Sequence, residues 1–392
     1  MLVEYHGEFL TSPVPLEMSL NFCSHKCNYC FSNLSEPDRK ADVKRIMRLL
    51  RDYPERNTVV AMLLKAGYPV VVSNRVDPFA ASNYKVMLPI LELMRDMEID
   101  VAIQTKGGLG IDAGLDILKP SVWYISIAFA DDALRARIEP GAPSLDERYR
   151  LMETLVTRGH RVVVGLNPLV PEWLPDPLPT LQRIKASGAT GVWIERLHLN
   201  PKQAKNLSEK ERAALTEPII KRAHKRTPGD DFEHFLRTRD QAQDAGLEVF
   251  SKNQPNASQF FAPWRDVYAH TFPTLQDWIN HLAATKHQGD LVTFDEFLAY
   301  FGPQFPAGIW PIDSYLGSVA HNIWHTHAVP PQMTYSQLLA LIWQEPRVKV
   351  NPANSPAFAF AARNGEPVTD DRGFPVLAFV PDGWFEWWYE VD

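Results

Sequence analysis

The sequence predicts an α/β fold with a parallel sheet in its first half, and three observations carry that prediction. Apolar runs of strand length, most of them rich in Val and Ile, recur at 16–22, 69–73, 100–105, 122–128, 161–166 and 191–197. Between them lie amphipathic stretches of helical period at 39–53, 85–97, 144–158 and 179–187. Six β-then-α units in succession need crossover connections, which pair the strands in parallel as a curled partial barrel or an open doubly wound sheet. In either geometry reactive groups collect at the C-terminal ends of the strands.

The first run leads into Cys23-Ser-His-Lys-Cys27-Asn-Tyr-Cys30, which holds all three cysteines of the 392-residue chain. Three thiolates so spaced on one loop leave a cubane iron–sulfur cluster with one iron lacking a protein ligand, open to a small molecule. A zinc site of three Cys plus His25 is the alternative, although zinc commonly takes its ligands as two spaced pairs. The odd cysteine count and the size of the chain exclude a disulfide framework.

The ends of the later runs carry polar residues. Ser73-Asn74-Arg75-Val76-Asp77-Pro78 follows the second, Gln104-Thr105-Lys106 ends the third, and Ser126 lies in the fourth. Asn167 follows the fifth, and Glu195 lies in the sixth. Singly, each suits a cap or a turn. As a ring at one end of one sheet they describe a polar pocket of nucleoside size. Ser144, with Glu147 three residues on, is expected to form a capping box and so to be structural.

From residue 200 the pattern changes. Residues 201–229 hold eight basic side chains against three acidic ones, which suits a solvated helix face or a phosphate-contacting surface. Residues 250–392 hold seven basic against fourteen acidic side chains, and eight of the eleven tryptophans: Trp264, Trp278, Trp310, Trp324, Trp343, Trp384, Trp387 and Trp388. An aromatic core is the default for these; stacking platforms for extruded bases, centred on 384–389, are the alternative. His321, His325 and His327 could bind a metal, but the sequence puts no acidic or cysteine partner beside them. The expected organisation is a barrel over 1–199, a basic helical segment over 200–250 completing or flanking it, and an aromatic-rich, mainly helical C-terminal domain over 251–392.

The first residues, Met-Leu-Val-Glu-Tyr-His-Gly-Glu, lack the basic start and apolar run of a secretion signal. Lys65, Gly67 and Pro69 interrupt the most apolar stretch, 58–72, so no membrane span is expected. The expected setting is a reducing cytoplasm, that of the host for a viral protein.

The cysteine run closely resembles the loop of the radical S-adenosylmethionine (SAM) superfamily. Over 16–199, Ser73-Asn74-x-x-Asp77-Pro78, Thr105-Lys106, Ser126 and Ile138-Glu139-Pro140-Gly141-Ala142-Pro143-Ser144 with Arg148 resemble its subfamily of spore photoproduct lyase and DNA repair photolyase-like proteins. The resemblance implies a partial (β/α)6 TIM-like barrel, a 4Fe-4S cluster on Cys23, Cys27 and Cys30, and S-adenosyl-L-methionine at the open iron. It also implies Tyr29 beside the adenine, with Ser73, Asn74, Asp77, Thr105, Lys106, Ser126 and Asn167 around the remainder of that cofactor. A flavodoxin or ferredoxin would be the electron donor, and DNA or a nucleotide the substrate.

Spore photoproduct lyase uses a further cysteine near the end of its second strand as a hydrogen-atom donor, where this chain has Ser73 and Asn74. A serine O–H bond is too strong for that role. The expected reaction is therefore hydrogen abstraction from a nucleobase or its side chain in DNA followed by rearrangement, as by an isomerase of hypermodified thymine in phage DNA. A DNA lesion lyase, a radical enzyme of a free metabolite or peptide, and a zinc-stabilised nucleic-acid-binding protein are the alternatives.

Overall fold

The computed structural model describes residues 2–4, 16–35, 40–73, 75–224, 230–250, 262–273, 275–304, 334–344 and 368–379. Its main sheet has eight strands in chain order: β1 (Leu2–Glu4), β2 (Leu16–Met18), β3 (Val70–Val72), β4 (Val101–Thr105), β5 (Val122–Ser126), β6 (Arg161–Leu169), β7 (Gly191–Arg196) and β8 (Glu248–Phe250). β1 pairs antiparallel with β2, and each later strand pairs in parallel with the one before it. The order never reverses. Right-handed crossovers on a monotonic order place every crossover helix on one face, so the sheet curls toward a barrel; a doubly wound sheet would need a reversal. The partial barrel is thus the form adopted.

The six expected strands are all present. Two more were not expected: β1, and β8 at the end of a segment read as helical. Each is three residues long and lacks a run of β-branched residues such as the one in β3. β8 raises the parallel strands from six to seven.

Alternation along the strands divides the two faces. Val70, Val72, Val101, Ile103, Trp123, Ile125, Val162 and Val164 join Leu50, Ile90, Met94, Leu155 and Ile184 of the surrounding helices in the main core. The intervening residues Val71, Ala102 and Val122 face inward and meet Trp264 and Tyr268. Those two belong to helix Ala262–Val267 and the residue after it. Tyr268 Oη donates to Val101 O at 2.7 Å and accepts from Val122 N at 2.9 Å, so this segment closes the barrel at the starts of β4 and β5. By the same alternation the inner face continues toward the strand ends as Gln104, Ser126, Asn167 and Glu195.

Beyond the barrel, helices Leu275–Ala283, Phe294–Phe301 and Tyr335–Gln344 accompany a small antiparallel sheet. Its strands are β9 (Leu291–Val292), β10 (Val368–Thr369) and β11 (Pro375–Ala378), with β11 in the middle. Trp278 and Trp343 are fully buried with ring centroids 6.0 Å apart, and Trp264 is buried against the barrel. These three tryptophans are core residues, not stacking platforms. Trp310, Trp324, Trp384, Trp387, Trp388 and the three histidines 321, 325 and 327 lie outside the described residues. Ser144 forms the expected capping box with Glu147 at the start of helix Leu145–Thr157.

Candidate active site

The cysteine loop leaves the C-terminal side of β2 and is fastened at both flanks. Ser24 and Ser82 exchange backbone-to-hydroxyl hydrogen bonds of 3.1 Å, and Ser82 Oγ donates to Phe22 O. On the other flank, Asn28 N donates to Ile138 O at 3.0 Å and Gly141 N to His25 O at 2.9 Å. A Cβ on Gly141 would lie 2.4 Å from Ser24 O, so the close approach of these two loops requires glycine there. The loop ends in helix Phe31–Ser35, whose Leu34 N donates to Cys30 O.

Cys23 and Cys27 are buried and Cys30 is partly exposed. Burial, then the Asp77 carboxylate, pushes the Cys23 thiol up to about 12; burial also raises Cys27 and Cys30. The three thiols stand close enough to feel one another's charge. Both nitrogens of His25 are engaged, Nδ1 with Gly141 O at 2.9 Å and Nε2 at 3.1 Å from Asp77 Oδ2, off the line of an ideal hydrogen bond. His25 is therefore not poised as a fourth ligand. Among the described residues no three His, Cys, Asp or Glu side chains converge as they would around a single metal ion. Three thiols spread over one loop, with His25 engaged elsewhere, fit a polynuclear cluster with an open corner.

Beside the thiols lies a buried polar network. Glu139 is fully buried; its carboxylate meets Tyr29 Oη, Lys106 Nζ at 2.9 Å and the Arg148 guanidinium. Lys106 Nζ also lies 2.6 Å from Ser126 Oγ and 3.1 Å from Tyr29 Oη, and Arg148 donates to Ser126 O at 2.9 Å. Burial alone would raise the Glu139 pKa, but Arg148 and Lys106 more than offset it and hold it at about 2. Tyr29 packs against Trp173, with ring centroids 5.4 Å apart.

The expected site residues thus separate. Tyr29, Lys106 and Ser126 converge at the cysteine loop. Asp77 and Thr105 are adjacent but hold backbone: Asp77 accepts from Phe79 N, Lys106 N and Thr105 Oγ1, and Thr105 Oγ1 accepts from Gly107 N. Ser73 Oγ accepts from Arg75 N and Val76 N and so shapes its own turn. Asn167 is exposed and bonds the partly buried Tyr124. Asn74 lies outside the described residues. Glu139 and Arg148 stood in the sequence as parts of a motif without a role, and only their meeting across nine residues shows one. Further off, Arg222 is held by Glu172 at 2.5 Å and Asp231 at 3.0 Å, and Arg212 by Glu217 at 3.0 Å, which favours the solvated-face account of the basic segment. Lys225 and Arg226 lie outside the described residues.

Residues 19–184 match the Radical SAM superfamily. That superfamily uses a 4Fe-4S cluster and S-adenosylmethionine. Uncharacterized proteins of Mycobacterium bovis and Mycobacterium tuberculosis are 26% identical over 203 residues, 45% of this chain and 56% of theirs. The chain thus spans little more than half the length of these curated relatives. Among solved structures, spore photoproduct lyase complexed with dinucleoside spore photoproduct aligns over 64% of this chain and 79% of its own, at 12% identity and TM-score 0.43. Streptococcus suis SuiB bound to precursor peptide SuiA aligns over 64% and 50%, at 15% identity and TM-score 0.41.

Proposed function

We propose that this protein is a radical SAM enzyme that removes a hydrogen atom from a nucleobase or nucleobase side chain in DNA and lets it rearrange. The observation that carries the enzymatic part is the cysteine loop itself: three thiols without a fourth ligand at the C-terminal mouth of a barrel, against a buried carboxylate with two cations. When bound, the cluster and S-adenosylmethionine supply a 5′-deoxyadenosyl radical able to take hydrogen from carbon. Cys23, Cys27 and Cys30 would hold the cluster. Lys106 and Ser126 would receive the carboxylate of S-adenosylmethionine, Lys106 exchanging Glu139 for it, while Tyr29 lines the adenine side. Helix Ala262–Val267 keeps water from entering beneath the mouth.

The nucleobase assignment rests on the Glu139–Pro143 motif and its subfamily resemblance. Rearrangement is favoured over lesion cleavage because the chain has no cysteine beyond the three of the loop to donate hydrogen to a product radical. A rearranged radical can instead recover its hydrogen from 5′-deoxyadenosine, with no change of redox state. We assign barrel chemistry to residues 1–199, flanking support to 200–250 and substrate recognition to 251–392. The pairing of Arg212 and Arg222 keeps a free metabolite or peptide as the competing substrate.

The test is anaerobic reconstitution followed by incubation with plain and thymine-modified DNA and nucleoside mass spectrometry. About four irons per chain, lost on replacing any one cysteine by Ala, are expected. An isomeric nucleoside formed at constant mass supports the proposal. Stoichiometric zinc without iron would sink the cluster, and cleavage of S-adenosylmethionine with every nucleoside unchanged would sink the DNA substrate.

A further inference from the structure

We infer that the surface shared by helices Phe31–Ser35 and Pro201–Asn206 is the docking site of an acidic one-electron carrier protein; this rests on the cluster proposed at Cys23, Cys27 and Cys30. Cys30 is the cysteine nearest solvent, and the chain passes from it directly into the first of these helices. Phe31, the next residue, is 43% exposed, unusual for a ring so close to a buried site.

The second helix is bolted to the first. Gln203 Nε2 donates to Phe31 O at 3.3 Å and Asn206 Nδ2 to Leu34 O at 2.7 Å. Pro201 and the Asn200–Gln203 capping box fix its start. With Gln203 and Ala204 buried, Lys202 and Lys205 are exposed. No ion pair engages either lysine among the described residues, in contrast to Arg212 and Arg222 nearby in sequence.

Two more exposed lysines belong to this end of the molecule. Lys26 lies within the cysteine loop, and Lys40 precedes Ala41, whose N–H bonds Asn21 Oδ1 at 2.9 Å. Counting Lys26 with residues 36–44 and 201–211, the sequence sets seven basic side chains (Lys26, Arg39, Lys40, Lys44, Lys202, Lys205 and Lys210) against five acidic ones (Glu36, Asp38, Asp42, Glu209 and Glu211), so the balance stays positive in a chain of net charge −7. An exposed ring next to the most accessible cysteine, with exposed lysines on the loop and helix joined to it, complements an acidic protein surface and offers an electron a way in. A phosphate backbone would be served better by the arginines, and those of the basic segment that are described are committed to carboxylates. In the docked pair one electron leaves the carrier, a flavin hydroquinone becoming its semiquinone, and one enters the cluster; no bond forms or breaks.

The test uses reconstituted holoenzyme, a reduced acidic flavodoxin as the probe, and the charge reversal Lys202→Glu/Lys205→Glu. At low salt the variant should bind flavodoxin about ten-fold more weakly and show about ten-fold slower flavodoxin-driven cleavage of S-adenosylmethionine, the gap closing at high salt. Dithionite-driven cleavage should not change, and Lys221→Glu, on a helix outside this surface, should behave as wild type. Undiminished flavodoxin binding in the variant, an equal loss with dithionite, or loss of oligonucleotide binding in place of flavodoxin binding would each overturn the inference. Wild-type protein that fails to cleave S-adenosylmethionine even with dithionite would defeat the proposed enzyme, while the binding comparison would still report on the surface.

Discussion

Arg148 closes on Glu139 with neither side chain exposed to solvent. The pair joins the C-cap of helix Asp132–Ile138 to helix Leu145–Thr157, and through Tyr29 it reaches the cysteine loop. Removing one partner leaves an uncompensated buried charge, whereas removing both need not.

Arg148→Met should therefore cost about 3 kcal/mol of stability, and Glu139→Gln/Arg148→Met distinctly less than the two single changes added together. Urea denaturation of the cluster-free chain measures this. Additive costs would show that the two groups act separately.

Glu139 also predicts an acid limit. Its folded pKa of about 2 lies below the ordinary value of 4.5, so its contribution is fully present above pH 4.5 and is lost as pH falls toward 2. The cluster-free chain should lose stability over that window, and Glu139→Gln should flatten the curve there. Parallel curves for the two proteins would contradict the assigned ionisation.

Lys106→Ala and Ser126→Ala should each weaken S-adenosylmethionine binding by about ten-fold, near 1.4 kcal/mol, without lowering iron content. Equilibrium dialysis of reconstituted protein reads both quantities. Affinity unchanged in both variants would place the ligand elsewhere.

Gly141→Ala should push the two loops apart, at a cost of about 1–3 kcal/mol, and release iron faster to a chelator. The 2.4 Å approach to Ser24 O leaves a methyl group no room. Iron retention equal to wild type would mean that the clamp does not hold the loop.

The six long strand runs and the cysteine loop were legible because each is local: a few consecutive residues carry the whole signal. Val70 to Val72 announces a strand without help from elsewhere, and the spacing of Cys23, Cys27 and Cys30 is enough to raise the expectation of a shared donor set. Glu139 was not legible in this sense, since its partner Lys106 comes from the end of another strand and nothing in the motif marks Arg148 as meeting it. Ser73 and Asp77 show the converse: polar residues at a strand end looked like ligands, yet their oxygens satisfy backbone amides of their own or neighbouring turns. Tyr268 was beyond reach, because nothing local marks a residue 167 positions from Val101 as its hydrogen-bond donor.

That tyrosine decides how the molecule can be divided. A fragment ending at residue 250 would keep every parallel strand and all three cysteines but lose Trp264 and Tyr268, leaving Val71, Ala102 and Val122 facing an open bore. It would be a pipe where the intact chain is a cup. For the proposed reaction, any reactive species formed at the rim would then have bulk solvent at its back, so the unit that supports it is expected to be longer than the stretch that bears the family signature and to run at least through residue 268.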